Sequence, residues 1–276
     1  MTNTIWITGA SSGIGRALAM EYAGRGKTVD GEAIALILSG RDEDRLAAVA
    51  EEIPCETMVL PFEVTDEAAM RGAVRKAEGW RDGVDMLVNN AGISQRSRAM
   101  NTQMDVYRRI MDIDLLAPIA LTQEVLGGMV SRGTGKLVFM ASIAGKVGVP
   151  LRTAYCAAKH GLVGYADALR TELSVTGIDV HVVAPGSVAT DISRNALGPD
   201  GGRRGVSDKA IDEGIPPTEA ARIIADAIAL NQREIIVARG MEEAMGELRR
   251  TPDQLFDQMA NMVAKGYMEK MEPHGS

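Results

Sequence analysis

The sequence predicts an α/β protein: a single doubly wound domain with a seven-stranded parallel sheet flanked by helices. Three observations lead there. Short apolar or β-branched runs alternate with longer segments of helical spacing along most of the 276 residues. The runs are continuously apolar where half-exposed strands would alternate, the pattern of strands buried on both faces. Hydrophobic residues make up 46% and charged residues 24%, which supplies a large core and excludes a disordered chain.

The elements follow in order. Thr4–Thr8 is a β-branched strand. Gly15–Gly24 has helical spacing, with Ile14, Leu18 and Tyr22 on one side. Ala33–Ser39 is a continuous apolar strand, Glu43–Glu52 a helix, Glu56–Pro61 the third strand and Glu67–Glu78 a helix. Met86–Asn89 is a buried strand. Asp105–Met129 reads as one long helix with Pro118 inside it, which predicts a kink or a shift. Lys136–Ala141 is a strand, Thr153–Thr176 a second long helix and Asp179–Ala184 a strand. Thr218–Leu230 is helical and Glu234–Ala238 is the seventh strand.

No repeat or linker divides the chain, so residues 1–240 are expected to form one domain and residues 241–276, rich in methionine, a helical tail of it. Two connections are long. Residues 26–32 extend the first helix-to-strand turn, and residues 186–215, with several glycines and charges, suggest a substrate loop that orders as a lid.

Thirty Lys and Arg against thirty-seven Asp and Glu give a net charge of −7. That balance argues against nucleic acid or an anionic membrane as partner. It leaves a small local basic site open. Two cysteines, Cys55 and Cys156, allow no disulfide framework, and three scattered histidines offer no metal site. The Met1–Ile7 segment runs straight into Thr8–Gly13, a turn that removal of a signal peptide would destroy. A soluble, cytoplasmic protein is expected.

Three groups of residues carry chemistry. Thr8-Gly9-Ala10-Ser11-Ser12-Gly13-Ile14-Gly15 follows the first strand and opens the first helix. Glycines permit a tight turn and close backbone approach, and a helix N-terminus offers free N–H groups to a pyrophosphate. Asn89-Asn90-Ala91-Gly92 ends a buried strand, at the sheet edge where such folds bind ligands. Tyr155 and Lys159 lie at i and i+4 on one helical face, and Ser142 ends the preceding strand, so all three can meet at that edge.

With these residues in this order the chain resembles the classical short-chain dehydrogenase/reductase (SDR) family, from Thr4 to about Ala238. The segment Pro185-Gly186-Ser187-Val188-Ala189-Thr190 adds to the match. The resemblance implies a Rossmann-type domain and hydride transfer between a nicotinamide cofactor and a ketone or secondary alcohol. Tyr155 would be the general acid/base. A free tyrosine, with a pKa of about 10, is a poor base, and Lys159 with the oxidised nicotinamide would lower that value. Lys159 would also hold the ribose, and Ser142 would orient the substrate oxygen. Gly9, Ser11, Ser12, Gly13, Ile14 and Gly15 would hold the pyrophosphate. Asn90, Ala91 and Gly92 would flank the cofactor. Pro185, Gly186, Val188 and Thr190 would shape the nicotinamide pocket. Dimers or tetramers through the two long helices are implied as well.

Two positions depart from the family pattern. Asp114 stands where an Asn usually completes a proton relay through water, and Glu63, before Val64, stands where an Asp usually contacts adenine. Asp114 is the one support for an alternative reading, a catalytically weak NADP(H)-binding sensor or scaffold. The second strand ends Ser39-Gly40-Arg41. Enzymes that use NAD place a carboxylate there for the ribose 2′-OH. Gly40 with Arg41 favours a 2′-phosphate instead, hence NADP(H). For the substrate, Val147, Val149 and Leu151 suggest an apolar pocket, while Arg96, Arg98 and Arg152 face either an acid or water.

Overall fold

Seven strands, all parallel, form one sheet in the order β3-β2-β1-β4-β5-β6-β7. They are β1 (Thr2–Thr8), β2 (Ala33–Ser39), β3 (Thr57–Val59), β4 (Met86–Asn89), β5 (Gly135–Met140), β6 (Ile178–Pro185) and β7 (Glu234–Val237). The computed structural model describes residues 2–248 and, beyond them, Asp257, Ala260, Asn261, Ala264 and Lys265. Most of the methionine-rich tail therefore lies outside the described residues. The chain builds outward from β1 to β3, then returns to place β4 on the other side of β1. Connections leave these two strands in opposite directions, which opens a crevice at their carboxyl ends.

Helices cover both faces, because each central strand sends alternate side chains to opposite cores. Ile5 and Ile7 join one cluster with α1 (Gly13–Arg25), α2 (Glu43–Glu51) and α8 (Pro217–Ala229), and Trp6 joins the other. Val138 and Met140 face the first cluster, Leu137 and Phe139 the second. The second is closed by α3 (Glu67–Glu78), α5 (Ala117–Arg132) and α6 (Thr153–Glu172). The remaining helices are α4 (Met104–Met111), the short α7 (Lys209–Asp212) and α9 (Met241–Leu248).

The helix expected over Asp105–Met129 is interrupted. A single π turn, Asp112–Leu116, separates α4 from α5, and the Ala117 N–H reaches back five residues to the Asp112 carbonyl. Pro118 is the physical cause. It has no N–H to donate, and its ring would crowd the Asp114 carbonyl four residues back. The widened turn relieves that crowding and leaves the Asp114 side chain fully buried. By length and composition the run Met104–Arg132 is apolar enough to cross a membrane; Ile110, Leu121, Val125 and Met129 in it are buried in the protein.

A buried histidine titrates in an accessible range. His181 on β6 is 1% exposed, its Nδ1 lies 2.7 Å from the Gln232 carbonyl, and its Nε2 has no partner among the described residues. Burial pushes its pKa from 6.5 down to about 4. The unfolded chain therefore takes up this proton first. The stabilising contribution is whole above about pH 6.5 and is lost as pH falls toward 4, on the order of 3 kcal/mol in all. His181→Asn keeps a donor for Gln232 and cannot titrate. Urea unfolding at pH 7 and pH 4.5 should show a smaller acid-induced loss of stability in this variant than in the wild type; equal losses would remove His181 from the explanation.

Candidate active site

The turn after β1 is built for close backbone approach. Gly9 and Gly13 hold φ values of +66° and +55°. A Cβ on Gly9 would sit 2.9 Å from Asn90 Nδ2, and one on Gly15 would collide with the Gly9 carbonyl. Asp42 caps α2 through the Arg45 N–H at 3.0 Å, and Asp66 caps α3 through the Ala69 N–H at 2.9 Å. Ser12 opens α1 with no side-chain cap. The first-turn N–H groups of α1 are thus left for a ligand, beside the exposed Ser12 and half-buried Ser11. These residues fit a dinucleotide pyrophosphate.

The asparagines after β4 serve the frame. Asn90 Nδ2 donates to the Thr8 carbonyl at 2.8 Å, and the N–H groups of Asn90 and Ala91 both donate to Thr8 Oγ1 at 3.0 Å. Asn89 reaches the other way, to Thr122 Oγ1 on α5 at 3.1 Å. The ends of β1 and β4 are tied at a fixed gap, and Thr8, the first residue of the glycine-turn motif, is the tie, a role the sequence did not show.

Tyr155, Lys159, Ser142 and Asp114 line one cleft, together with Ile14, Asn90 and Gly92 from the dinucleotide side. Pro185, Gly186, Val188 and Thr190 close it from the end of β6. The Lys159 Nζ lies 5.7 Å from the Tyr155 ring centroid, donates to the Met140 carbonyl at 2.9 Å and pairs with Asp114 Oδ1 at 3.1 Å. Asp114 also accepts from the Ile93 N–H at 3.2 Å. Ser142 Oγ donates to the Pro185 carbonyl at 3.2 Å and accepts from the Ala144 N–H at 3.1 Å.

Electrostatics here differ in one respect from the sequence expectation. Burial raises the Tyr155 phenol above its ordinary value; Lys159 pushes it down, Asp114 pushes it up and Ser142 favours the phenolate. Without the cofactor's charge, burial wins and the net direction is upward. Burial alone would lower the Lys159 ammonium, but Asp114 and Tyr155 outweigh it and the net direction is up. Lys159 is therefore held protonated. Burial lifts the Asp114 carboxyl, with Lys159 opposing. Asp114 binds Lys159 directly and sets a negative charge beside the ammonium that an Asn would lack.

Arg41 and Glu63 line a second cleft with Thr65, Asp112 and Ile113. They approach each other to 3.8 Å, both well exposed, and Val64 packs half-buried against the core. Cys156 is a packed thiol whose sulfur accepts from the Val149 N–H at 3.3 Å.

Glu242 on α9 was not legible in the sequence. Its carboxylate accepts from the Ser187 N–H at 2.7 Å and from Ser187 Oγ at 2.9 Å, bracing the loop that walls the cleft. The long loop after it is tied down: the Ile215 N–H donates to the Ser187 carbonyl at 2.9 Å and the Leu197 N–H to the Ser94 carbonyl at 2.7 Å. On the substrate side Ser94, Arg96, Arg152, Ile192 and Ile211 line the cleft. Val147, Val149 and Leu151 do not, and Arg98 is exposed. Among the described residues no His, Cys, Asp or Glu cluster is placed to hold a metal.

The chain is similar to known proteins in sequence and in fold. The family model for short chain dehydrogenase matches residues 3–199. The chain is 35% identical over 241 residues to the dehydrogenase/reductase SDR family member 7B of Danio rerio, covering 84% of this chain and 76% of the relative. The corresponding protein of Xenopus laevis is 34% identical over 268 residues, 94% of this chain and 81% of that one. Two solved folds are similar at 24% identity. A short-chain dehydrogenase from Streptomyces avermitilis has a TM-score of 0.76, covering 97% of this chain and 98% of that one. One from Sphingobium yanoikuyae, in complex with NADPH, has a TM-score of 0.73, covering 99% and 98%. From its matched residues and these relatives, the chain belongs to the short-chain dehydrogenase/reductase family of oxidoreductases.

Proposed function

We propose that this chain is an NADP(H)-dependent oxidoreductase that interconverts a ketone and a secondary alcohol, with Tyr155 as the general acid/base. One observation carries the reading. A phenol, an ammonium and a hydroxyl from two different elements, Tyr155 and Lys159 on α6 and Ser142 after β5, line the same cleft as Ile14 of the glycine turn.

Bound NADP(H) supplies or accepts the hydride. The protein does the rest. Ser142 Oγ turns its one proton from the Pro185 carbonyl to the substrate oxygen, which it orients. In reduction the Tyr155 hydroxyl gives its proton to that oxygen; in oxidation the phenolate takes it back. Lys159 stabilises the phenolate through its charge, and Asp114 keeps Lys159 protonated. Burial of Tyr155 keeps water from competing for the proton.

Arg41 and Gly40 support NADP(H) over NAD(H), since no carboxylate ends β2 to repel a 2′-phosphate. The Arg41–Glu63 pair is exposed at both ends and contributes at most about 1 kcal/mol, so a phosphate can displace Glu63. Two fold neighbours point the same way, the Sphingobium enzyme with NADPH and an alcohol dehydrogenase from Thermococcus sibiricus with 5-hydroxy-NADP.

Three outcomes are expected. Tyr155→Phe should lower kcat by about 100- to 10,000-fold while NADPH affinity, followed by fluorescence titration, stays nearly constant; a variant close to wild-type turnover would overturn the acid/base role. Asp114→Asn removes a negative charge that raises the phenol, so the acidic limb of kcat/KM for alcohol oxidation should move to lower pH; a limb that stays put or rises would refute that electrostatic role. Arg41→Ala should weaken NADPH by about tenfold or more and leave NADH nearly unchanged, read by calorimetry. Equal losses for both cofactors would reject Arg41 as the phosphate reader.

A further inference from the structure

We infer that the substrate carries an anionic group, a carboxylate or a phosphate, seated against Arg152 and Arg96 while its carbonyl faces Tyr155. The inference rests on the carbonyl chemistry proposed above and names its substrate class.

Three arginines from three segments converge on one carboxylate. Arg96 Nε lies 2.6 Å from Asp208 Oδ2, Arg152 reaches the same oxygen at 3.5 Å, and Arg204 pairs with Asp208 Oδ1. Ser193 completes the knot by accepting from the Asp208 N–H at 2.9 Å. Three positive charges against one negative leave an excess of two, in a chain whose overall charge is −7. Clamping the loop to the 94–98 segment needs one arginine for one aspartate. Arg96 and Arg204 also hold their own segments, through Ser94, the Gln95 carbonyl and Ser193; Arg152 is surplus to the clamp.

Its position is informative. Arg96 and Arg152 line the cleft that holds Tyr155 and Ser142. Arg96 is nearly enclosed, with 7% of its side chain exposed. Its donors are engaged by Asp208, by Ser94 Oγ at 2.8 Å and by the Gln95 carbonyl at 2.7 Å. Arg152 differs. Among the described residues its one partner is that shared oxygen at 3.5 Å, so most of the five donors of its guanidinium are left for a ligand. Such a planar fork matches a carboxylate or phosphate edge. The surroundings register the excess charge: burial, then Arg152 and Arg204, lower the affinity of Arg96 for its proton against the pull of Asp208. Arg152 also acts on the Tyr155 phenol, favouring its ionised form. An anion beside Arg152 would neutralise the surplus and fix the substrate's far end, which aligns the reacting carbonyl.

Matched substrates test this with NADPH: levulinate against methyl levulinate, and acetol phosphate against acetol. The expected result is a kcat/KM preference for the anionic member of at least one pair, carried by KM, about tenfold or more. The pair that shows it separates carboxylate from phosphate. In Arg152→Gln the anionic-to-neutral ratio should fall by about the same factor, whereas in Arg203→Gln, an exposed arginine outside the cleft, it should not change. Equal ratios in both pairs, or a preference that survives Arg152→Gln, overturn the inference. If none of the four compounds turns over, that counts against the proposed carbonyl chemistry, and the site is read by calorimetry on the NADP(H)-bound protein. There, binding of levulinate or of acetol phosphate that exceeds its neutral partner and is lost in Arg152→Gln upholds the anion site; equal binding within both pairs overturns it.

Discussion

The buried ammonium of Lys159 is the constraint around which the site is organised. An enclosed charge is tolerated only with close partners, and here they come from separate parts of the chain: the Asp114 carboxylate from the π turn and the Met140 carbonyl from the end of β5. Asp114 is in turn held by the Ile93 N–H beyond β4. Neighbouring residues follow from this. A Cβ at Gly92 would meet Asp114 Oδ1, and one at Gly145 would lie 2.8 Å from the Lys159 carbonyl oxygen. The two glycines leave room for the helix and the carboxylate to approach. Pro118 belongs to the same chain of causes, because the widened turn it imposes is where Asp114 is carried.

The sheet then decides where the ammonium can act. Reversal of strand order between β1 and β4 opens the crevice, and Thr8 ties its two lips together through Asn90 and Ala91. In a chain of net charge −7, Lys159 lines this crevice with Arg96 and Arg152 on its substrate side, and Arg41 lines the second cleft.

Much of the site was legible from short-range patterns. The glycine turn, the strand ends and the Tyr155–Lys159 spacing each depend on local geometry, and a helix places i and i+4 together wherever it folds. Pro118 announced a distortion, but its form, a single π turn, depended on how α4 and α5 pack. The aspartate at position 114 was visible; its direct bond to Lys159 was not, since two residues 45 positions apart meet only once α5 and α6 dock. Glu242 lay further out of reach. An acidic residue in a methionine-rich tail carries no local mark of the backbone N–H it will meet 55 residues away.

By itself the sequence determined the alternation of strands and helices, the doubly wound class and the family, because hydrophobic periodicity and glycine stereochemistry act over a few residues. Only the tertiary structure decided the electrostatics: which charges neutralise one another, which remain in surplus, and whether burial outweighs a neighbouring ammonium at Tyr155. Those outcomes depend on distance and solvent exclusion between groups remote in the chain. The apolar wall expected from Val147, Val149 and Leu151 and the arginine wall found in the cleft are equally compatible with the linear pattern. Arg96 and Arg152 meet at the cleft through their common partner, Asp208, on the loop that supplies Ile192 and Ile211 to the lining.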